Sequence, residues 1–558
     1  MRIKFIIILF VLFLFQGFLM AYEKEKTTVR VGLSNQTFSS QEFESITISS
    51  MSAIKIIDMS TNVQIEPIEA GKMLSFSIDN SLFNISINNE LKHEKLSGPL
   101  LLSSNSDFEV INLNRKGTPA KYKGMFELRA AKKPNRFNVI NVVDIQNYLR
   151  GVVPNEMPVS FGLEAIKAQA VAARNYVQRA NINPNYDVVD STASQVYYGV
   201  NSYRDITDSA VEKTKGIFAL YKDTPISALY FSTSPGITDD WDDVFGSGYP
   251  SDKHPYLKAK YDSVEQKPLK TEQDVIDFYS KKDNGLDTNS PKFRWSVEFS
   301  KEELENTLKD TLLQQSKANL VTPKYDGSIP LEGLVEIKPI KRTQSGKVVE
   351  LEIRAKNGEY RIKKELGIRR LFKKQASILP SGNFYIETTY APDKQDNKEQ
   401  YLLQKIFEGD QKDPKSFKFI GGGFGHSVGM SQFGAYNLAK KGVKYPDILK
   451  YYYSGISIST MTKTVLYNEY NISYKTEFYF DKDAYKEAYL YIDNQRGVSQ
   501  FPFSINGFEF LDTKQINKTP VIKMNITQYL KQGNNTINFL PLSLENKGKY
   551  VVYRVELL

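Results

Sequence analysis

The 558-residue chain contains no cysteine, which excludes disulfides, thiolate metal centres and lipid attachment at a cleavage-site cysteine. Histidine is nearly as scarce. The three, His93, His254 and His426, show neither HxxxH nor HxH spacing, so the nitrogen and sulfur ligands of a zinc site are missing and no metal is expected. The acids of TDDWDD (238–243) lack the alternation and the glycine of a calcium loop. No cofactor is expected either. The glycine-rich GGGFGHSVG (421–429) lacks the Gly-Lys-Ser/Thr ending of a phosphate-binding loop. No dense Lys/Arg patch with interleaved aromatics points to nucleic acid as a partner. After residue 21 no apolar run is long enough to span a bilayer.

Before residue 21 there is such a run. Arg2 and Lys4 precede an apolar stretch interrupted only by Gln16 and Gly17, and Ala21 stands where a signal peptidase would cut. Leu19 is large for the −3 position, so a cleaved signal and a retained N-terminal anchor both remain open. Either predicts export, to the cell surface, wall or periplasm, with membrane contact only through an uncleaved N-terminal segment. The net charge of +9 favours an anionic wall or membrane surface. The length predicts three or four domains. With 34 Tyr and 33 Phe against two Trp, the chain reads as strand-rich.

Residues 22–104 carry short alternating runs such as SITISS, LSFSID and FNISIN at about ten-residue spacing, which predict a β-rich module. From 105 strands give way to the helical pattern of 162–180, then to strands and loops up to ILKYYYSG (448–455). Within this part 262–400 reads as a variable insert. Ser300 with Glu303 marks a helix start there, and 392–400 reads as a solvated loop. Residues 461–558 return to strands and predict a β-sandwich, with a galactose-binding-like carbohydrate module or a plain docking domain as its two readings. The expected fold is α+β, a central domain at 105–460 between two β modules.

The stretch VVPNEMPVSFGLEAIKAQAVAARNYVQRA (152–180) organises this reading. Leu163, Ile166, Ala170, Ala173 and Val177 form one apolar stripe at helical period, on a helix kept thin by alanines. Just before it, Glu156 sits between Pro154 and Pro158, whose fixed φ predicts a stiff turn. A rigid turn that aims one acid into a cleft suits general acid catalysis; the plain alternative is a solvated Glu in a proline-punctuated turn.

Five segments occur in register: VVPNEMP (152–158), EAIKAQAVAARNY (164–176), DVVDSTASQVY (187–197), STSPGIT (232–238) and GFGHSVGMSQFGA (423–435). PYL (255–257), Trp295 and SGKV (345–348) fit between them. Over about residues 105–460 the chain resembles the SpoIID/LytB family. Members similar to it are lytic transglycosylases of peptidoglycan, and others are described as amidase enhancers. The resemblance implies a catalytic acid at Glu156, with Arg174, Tyr176, Gln195, Tyr197, Ser232, Thr233, His426 and Gln432 as sugar-binding or supporting residues. A buried hydrogen-bond network is the alternative for Arg174 and Gln195. Some members carry a zinc-binding His-Cys pair where this chain has Ala193 and Ser194, so zinc is not implied here. Ser427 and Pro235 stand where the family favours glycine, which predicts a narrower groove and a stiffer turn.

The implied partner is the glycan strand of peptidoglycan, and the implied reaction needs one carboxyl group. Glu156 protonates the oxygen between MurNAc and GlcNAc, then accepts the proton of the MurNAc 6-hydroxyl as that oxygen closes on C1 to a 1,6-anhydro ring. A hydrolytic glycosidase normally needs a second carboxylate. Two other readings stay open: a non-enzymatic wall-binding protein that enhances a partner amidase, and a wall hydrolase using Ser or His near 426.

Overall fold

The computed structural model describes residues 25–246, 253–263, 265–329, 331–390, 413–461, 463–466, 474–494, 498, 501–511, 521–540 and 549–558. The expected targeting segment and the expected loop at 392–400 lie outside the described residues. Two compact units emerge. One comprises Val29–Glu212 and Ile226–Ile456, and the other is built from Lys213–Pro225 and Ser457–Leu558.

The larger unit begins with two antiparallel-rich sheets. The first orders the strands Val188–Val189, Thr28–Gly32, Phe137–Asp144, Met125–Ala130, Leu100–Ser103, Ile54–Asp58 and Val63–Ile68. The second orders Thr118–Tyr122, Phe108–Arg115, Ser45–Ser50, Leu74–Asp79, Leu82–Ile87 and Glu90–Leu96. Alternation decides the inner faces: Leu74, Phe76 and Ile78 are buried while their neighbours point outward. Rings from the two sheets meet, Phe108 stacking on Phe126 at 5.0 Å and Phe83 edge-on to Phe137 at 5.5 Å between centroids. The boundary expected at residue 104 is therefore not a break. Leu100–Ser103 pairs with Met125–Ala130, and Ser45–Ser50 with Phe108–Arg115, so one ladder system runs across it. Ten-residue spacing reports strands but is silent on which strands pair.

Strand Phe137–Asp144 runs directly into helix α1 (Ile145–Glu156), capped by Asp144, whose side chain accepts from the N–H groups of Gln146 and Asn147. Helix α2 (Leu163–Arg179) follows a short 3-10 turn. The single-stripe expectation fails here, because α2 is buried nearly all round, from Ala165 through Gln178 with only Tyr176 partly exposed. Its alanines admit neighbours on several sides: α1, α3 (Asp205–Glu212), α8 (Gln432–Lys440) and α9 (Tyr445–Tyr452) all pack on it. Each fully buried Ile or Val of such a helix contributes about 1.5–3 kcal/mol.

The insert region has a core of its own. A three-stranded sheet (Trp295–Ser300, Pro414–Gly421, Phe384–Tyr390) and a four-stranded sheet (Val321–Thr322, Gly358–Lys363, Val348–Ala355, Leu334–Arg342) pack with α6 (Lys301–Lys317) and α7 (Glu365–Leu371) around Phe299, Leu308, Leu351 and Phe419. Ser300 caps α6, accepting from Glu303 N–H at 3.1 Å. Two shorter helices, α4 (Trp241–Val244) and α5 (Glu272–Ser280), precede it.

The second unit has two facing sheets. One orders Thr224–Pro225, Phe218–Tyr221, Ser457–Ser459, Tyr550–Leu557, Ala488–Asp493 and Val521–Asn525, with Lys463–Leu466 also on Tyr550–Leu557. The other orders Tyr474–Phe480, Gly533–Phe539, Phe503–Ile505 and Phe508–Phe510. Phe539 packs on Tyr553 at 4.3 Å, and the Tyr553 hydroxyl bonds Thr476. The hairpin 218–225, expected inside the central domain, extends this sheet instead. Among the described residues no helix is long and apolar enough to cross a membrane.

Candidate active site

Glu156 is the last residue of α1, and the chain turns extended at Met157. The expected proline-bounded turn is thus a final helical turn, with Pro154 inside the helix. The Asn155 amide supports this end by donating to the Gly151 carbonyl at 2.7 Å and to Ser202 at 2.8 Å. A helix C-terminus faces the negative end of the macrodipole, which disfavours a carboxylate there.

The Glu156 side chain is half-buried. Its Oε1 accepts from the Val196 N–H at 2.7 Å, and the Tyr230 hydroxyl bonds the same carboxyl. Behind Tyr230 the bonds run in one direction: Tyr148 Oη donates to Gln195 Oε1 (3.0 Å), Gln195 Nε2 donates to Tyr230 Oη (3.0 Å), and Tyr230 turns its proton to Glu156. Burial pushes the Glu156 pKa above its usual value, against the opposing pull of Val196 and Tyr230. No carboxylate is among the groups that act on it.

Of the residues expected around Glu156, several converge. Gln195 belongs to the relay. Gln432 donates to the Glu156 backbone carbonyl at 2.8 Å and to Gln169 at 3.2 Å, which fixes the helix end to α8. Tyr176, half-buried, bonds Ser194 and lies close enough to Glu156 to feel its charge. His426 is half-buried; its Nδ1 accepts from Val428 N–H at 3.1 Å and its ring also bonds the Tyr230 carbonyl. Burial, with Lys347 nearby, pushes its pKa down to about 3, so it stays neutral.

Others turn inward. Arg174 is 1% exposed and its Nη2 donates to Gln146 and to the Val211 carbonyl, so it ties helices together. Tyr197 is equally buried, donates to Asn141 at 2.8 Å and packs on Tyr148. Thr233 is buried against Ser290 at 2.8 Å, while half-buried Ser232 accepts from Phe433 N–H through its carbonyl. Ser427 has φ 62°, the left-handed backbone that favours glycine, but its side chain is buried on Lys347 and Asn383 and does not narrow a groove. That burial also removes Ser427 as a nucleophile beside His426. Gly423 (φ 81°) has no room for a side chain, since a Cβ would lie 2.9 Å from Pro235 Cδ.

Sequence reasoning missed Tyr230, Tyr148 and Gln169. Tyr230 is two residues before STSPGIT, and the parallel pairing of Tyr230–Phe231 with Met430–Ser431 brings that motif beside GHSVGMSQ. It also missed why DSTASQ is held: Asp190, fully buried, pairs with Arg115 Nη2 at 2.9 Å and accepts from Ser34 N–H at 2.9 Å. The N-terminal sheets thereby position the loop that supplies Gln195 and Val196.

Part of this arrangement lies in a stretch that matches a known family. The family described as Stage II sporulation protein, SpoIID, matches residues 133–221, the stretch from the strand before α1 to past Gln195, and a domain of unknown function (DUF8618) matches 243–429. Residues 133–221 thus carry a SpoIID domain, in line with the resemblance read from the motifs. It is similar to the amidase enhancer of Bacillus subtilis (29% identity, 56% of this chain and 40% of that one) and to the stage II sporulation protein D of the same organism (26%, 57% and 75%). It is also similar to an uncharacterized protein of Brachyspira hyodysenteriae (27%, 57% and 68%). The chain thus spans well under half the length of the first of these relatives.

Proposed function

We propose that this protein is an exported lytic transglycosylase of peptidoglycan, with Glu156 acting first as acid and then as base. The observation that carries this reading is a lone carboxyl group, partly open to solvent, with its pKa raised by burial and no carboxylate acting on it. A raised pKa supplies the proton near neutral pH. Once ionised, the group is held by Val196 N–H and the Tyr230 hydroxyl, ready to take the proton of the MurNAc 6-hydroxyl. That hydroxyl closes on C1, the bond to the GlcNAc oxygen breaks, and the GlcNAc hydroxyl keeps the first proton. The SpoIID domain at 133–221 supports a cell-wall role. Residues 1–21 supply the export signal or anchor.

A second reading is favoured by the name of one relative, an amidase enhancer: the chain would bind glycan and stimulate a partner amidase. Incubating wild type and Glu156→Gln with intact peptidoglycan and with peptide-free glycan strands separates the two. Anhydro-MurNAc ends from wild type alone support the enzyme. Their absence on both substrates refutes it, and stimulation of an amidase by both proteins supports the second reading.

A further inference from the structure

Outside the Glu156 relay, a row of rings leads from His426 toward the surface. The His426 ring lies between Phe231 (5.5 Å between centroids) and Phe245 (5.6 Å). Phe245 is followed by Trp241 at 6.2 Å, and Trp241 by His254 at 4.5 Å. Trp241 and Phe245 are one helical turn apart, so they project from the same side of α4, and Phe245 donates its N–H to the Trp241 carbonyl. Phe245 is 40% exposed and Trp241 partly so. Single exposed apolar side chains are ordinary on a protein surface, whereas a contiguous row is not. This row is continuous with the active site, because His426 bonds the carbonyl of Tyr230, whose hydroxyl bonds Glu156. Polar groups lie close in the chain: Asp240 and Asp242, on either side of Trp241, line with Lys258 a cleft of about 450 Å³ whose lining does not include Trp241 or Phe245.

We propose that Trp241 and Phe245 form a stacking subsite for the sugar rings of a glycan strand as it leaves the Glu156 cleft. The inference rests on the glycan-cleaving reading above and names a place on the chain that reading does not use. A 2-acetamido pyranose has one apolar C–H face and a rim of hydroxyl and amide groups. An aromatic ring takes the face at small conformational cost, and neighbouring carboxylates and amines take the rim.

The chain's tryptophan content makes the test direct, because only Trp241 and Trp295 are present. Trp295 is 9% exposed and its indole N–H donates to the Gly423 carbonyl at 3.0 Å. The inactive Glu156→Gln protein is titrated with tetra-N-acetylchitotetraose and with peptide-free glycan strands, following emission and heat. A saturable change in tryptophan emission is expected, lost in Glu156→Gln/Trp241→Phe, which leaves Trp295 as the sole tryptophan. Trp241→Ala and Phe245→Ala are each expected to weaken binding about tenfold. Heat of binding without an emission change overturns the subsite, as does silence in both signals. The two readings fail separately. If wild type makes no anhydro ends but Trp241 responds, the activity falls and the subsite stands. If anhydro ends form while Trp241 is silent and Trp241→Ala cuts as fast as wild type, only the subsite falls.

Discussion

Two neighbouring residues at the start of α8 serve two carboxyl sites of opposite character. Gln432 holds the backbone of Glu156, and Ser431 donates to Asp287. Glu156 is half-buried, and the groups that act on it, the Val196 N–H and the Tyr230 hydroxyl, are neutral. Asp287 is fully buried and shares its site with Asp262, also buried. Asp287 accepts from Ser234 N–H at 2.6 Å, and Asp262 from the Tyr451 hydroxyl at 2.7 Å. Burial raises Asp287 far above its usual value and Asp262 to about 6, and the pair's mutual repulsion adds to Asp287. Two carboxyls so placed hold a proton between them and keep it. Gly434 seals the site, since a Cβ there would lie 1.8 Å from the Tyr452 oxygen. Both sites raise a carboxyl pKa by burial. Only the one with an opening can exchange its proton with a substrate, so access rather than pKa separates chemistry from structure.

Changes at the two sites should therefore split activity from stability. Glu156→Gln should cost about 10²–10⁴-fold in the rate of anhydro-end formation, with the denaturant midpoint unmoved or higher. A parallel loss of stability would break the contrast. Arg115→Met, which leaves buried Asp190 without its ion-pair partner, should destabilise by about 3–5 kcal/mol in urea unfolding. Asp287→Asn should cost less, about 1–3 kcal/mol, because Ser234 and Ser431 keep one acceptor.

The pH dependence sharpens the same contrast. In the proposed reaction the protonated form of Glu156 is the active one, so the rate should fall as pH rises through its raised pKa. Tyr230→Phe removes a bond that favours the ionised form, which should shift that fall to higher pH while lowering the maximum about tenfold. For stability, folded Asp262 near 6 keeps a proton that the unfolded chain releases near 3.8. Its contribution is complete below about 4 and is lost as pH rises to about 6, and Asp262→Asn should flatten that slope in pH-dependent unfolding. The smallest effect is the control: Arg354→Ala, breaking an exposed pair with Glu336, should change stability by about 0–1 kcal/mol.

The sequence by itself was enough for the strands, α2, the cap at Ser300 and the singling out of Glu156, because each depends on near neighbours: alternation, helical period, a Ser-x-x-Glu spacing, a motif. It could not show that α2 is buried all round, since thin alanine faces look the same whether solvent or helices cover them. It could not place the hairpin 218–225 in the second unit, nor join 28–103 to 108–144, because pairing partners lie far apart in the chain. Most of all, the tertiary structure alone decided that Tyr230 meets Glu156, that Arg174 and Tyr197 turn inward, and that Asp190 is held by Arg115. Each is a contact between segments 28 to 75 residues apart, where geometry rather than local pattern assigns the role.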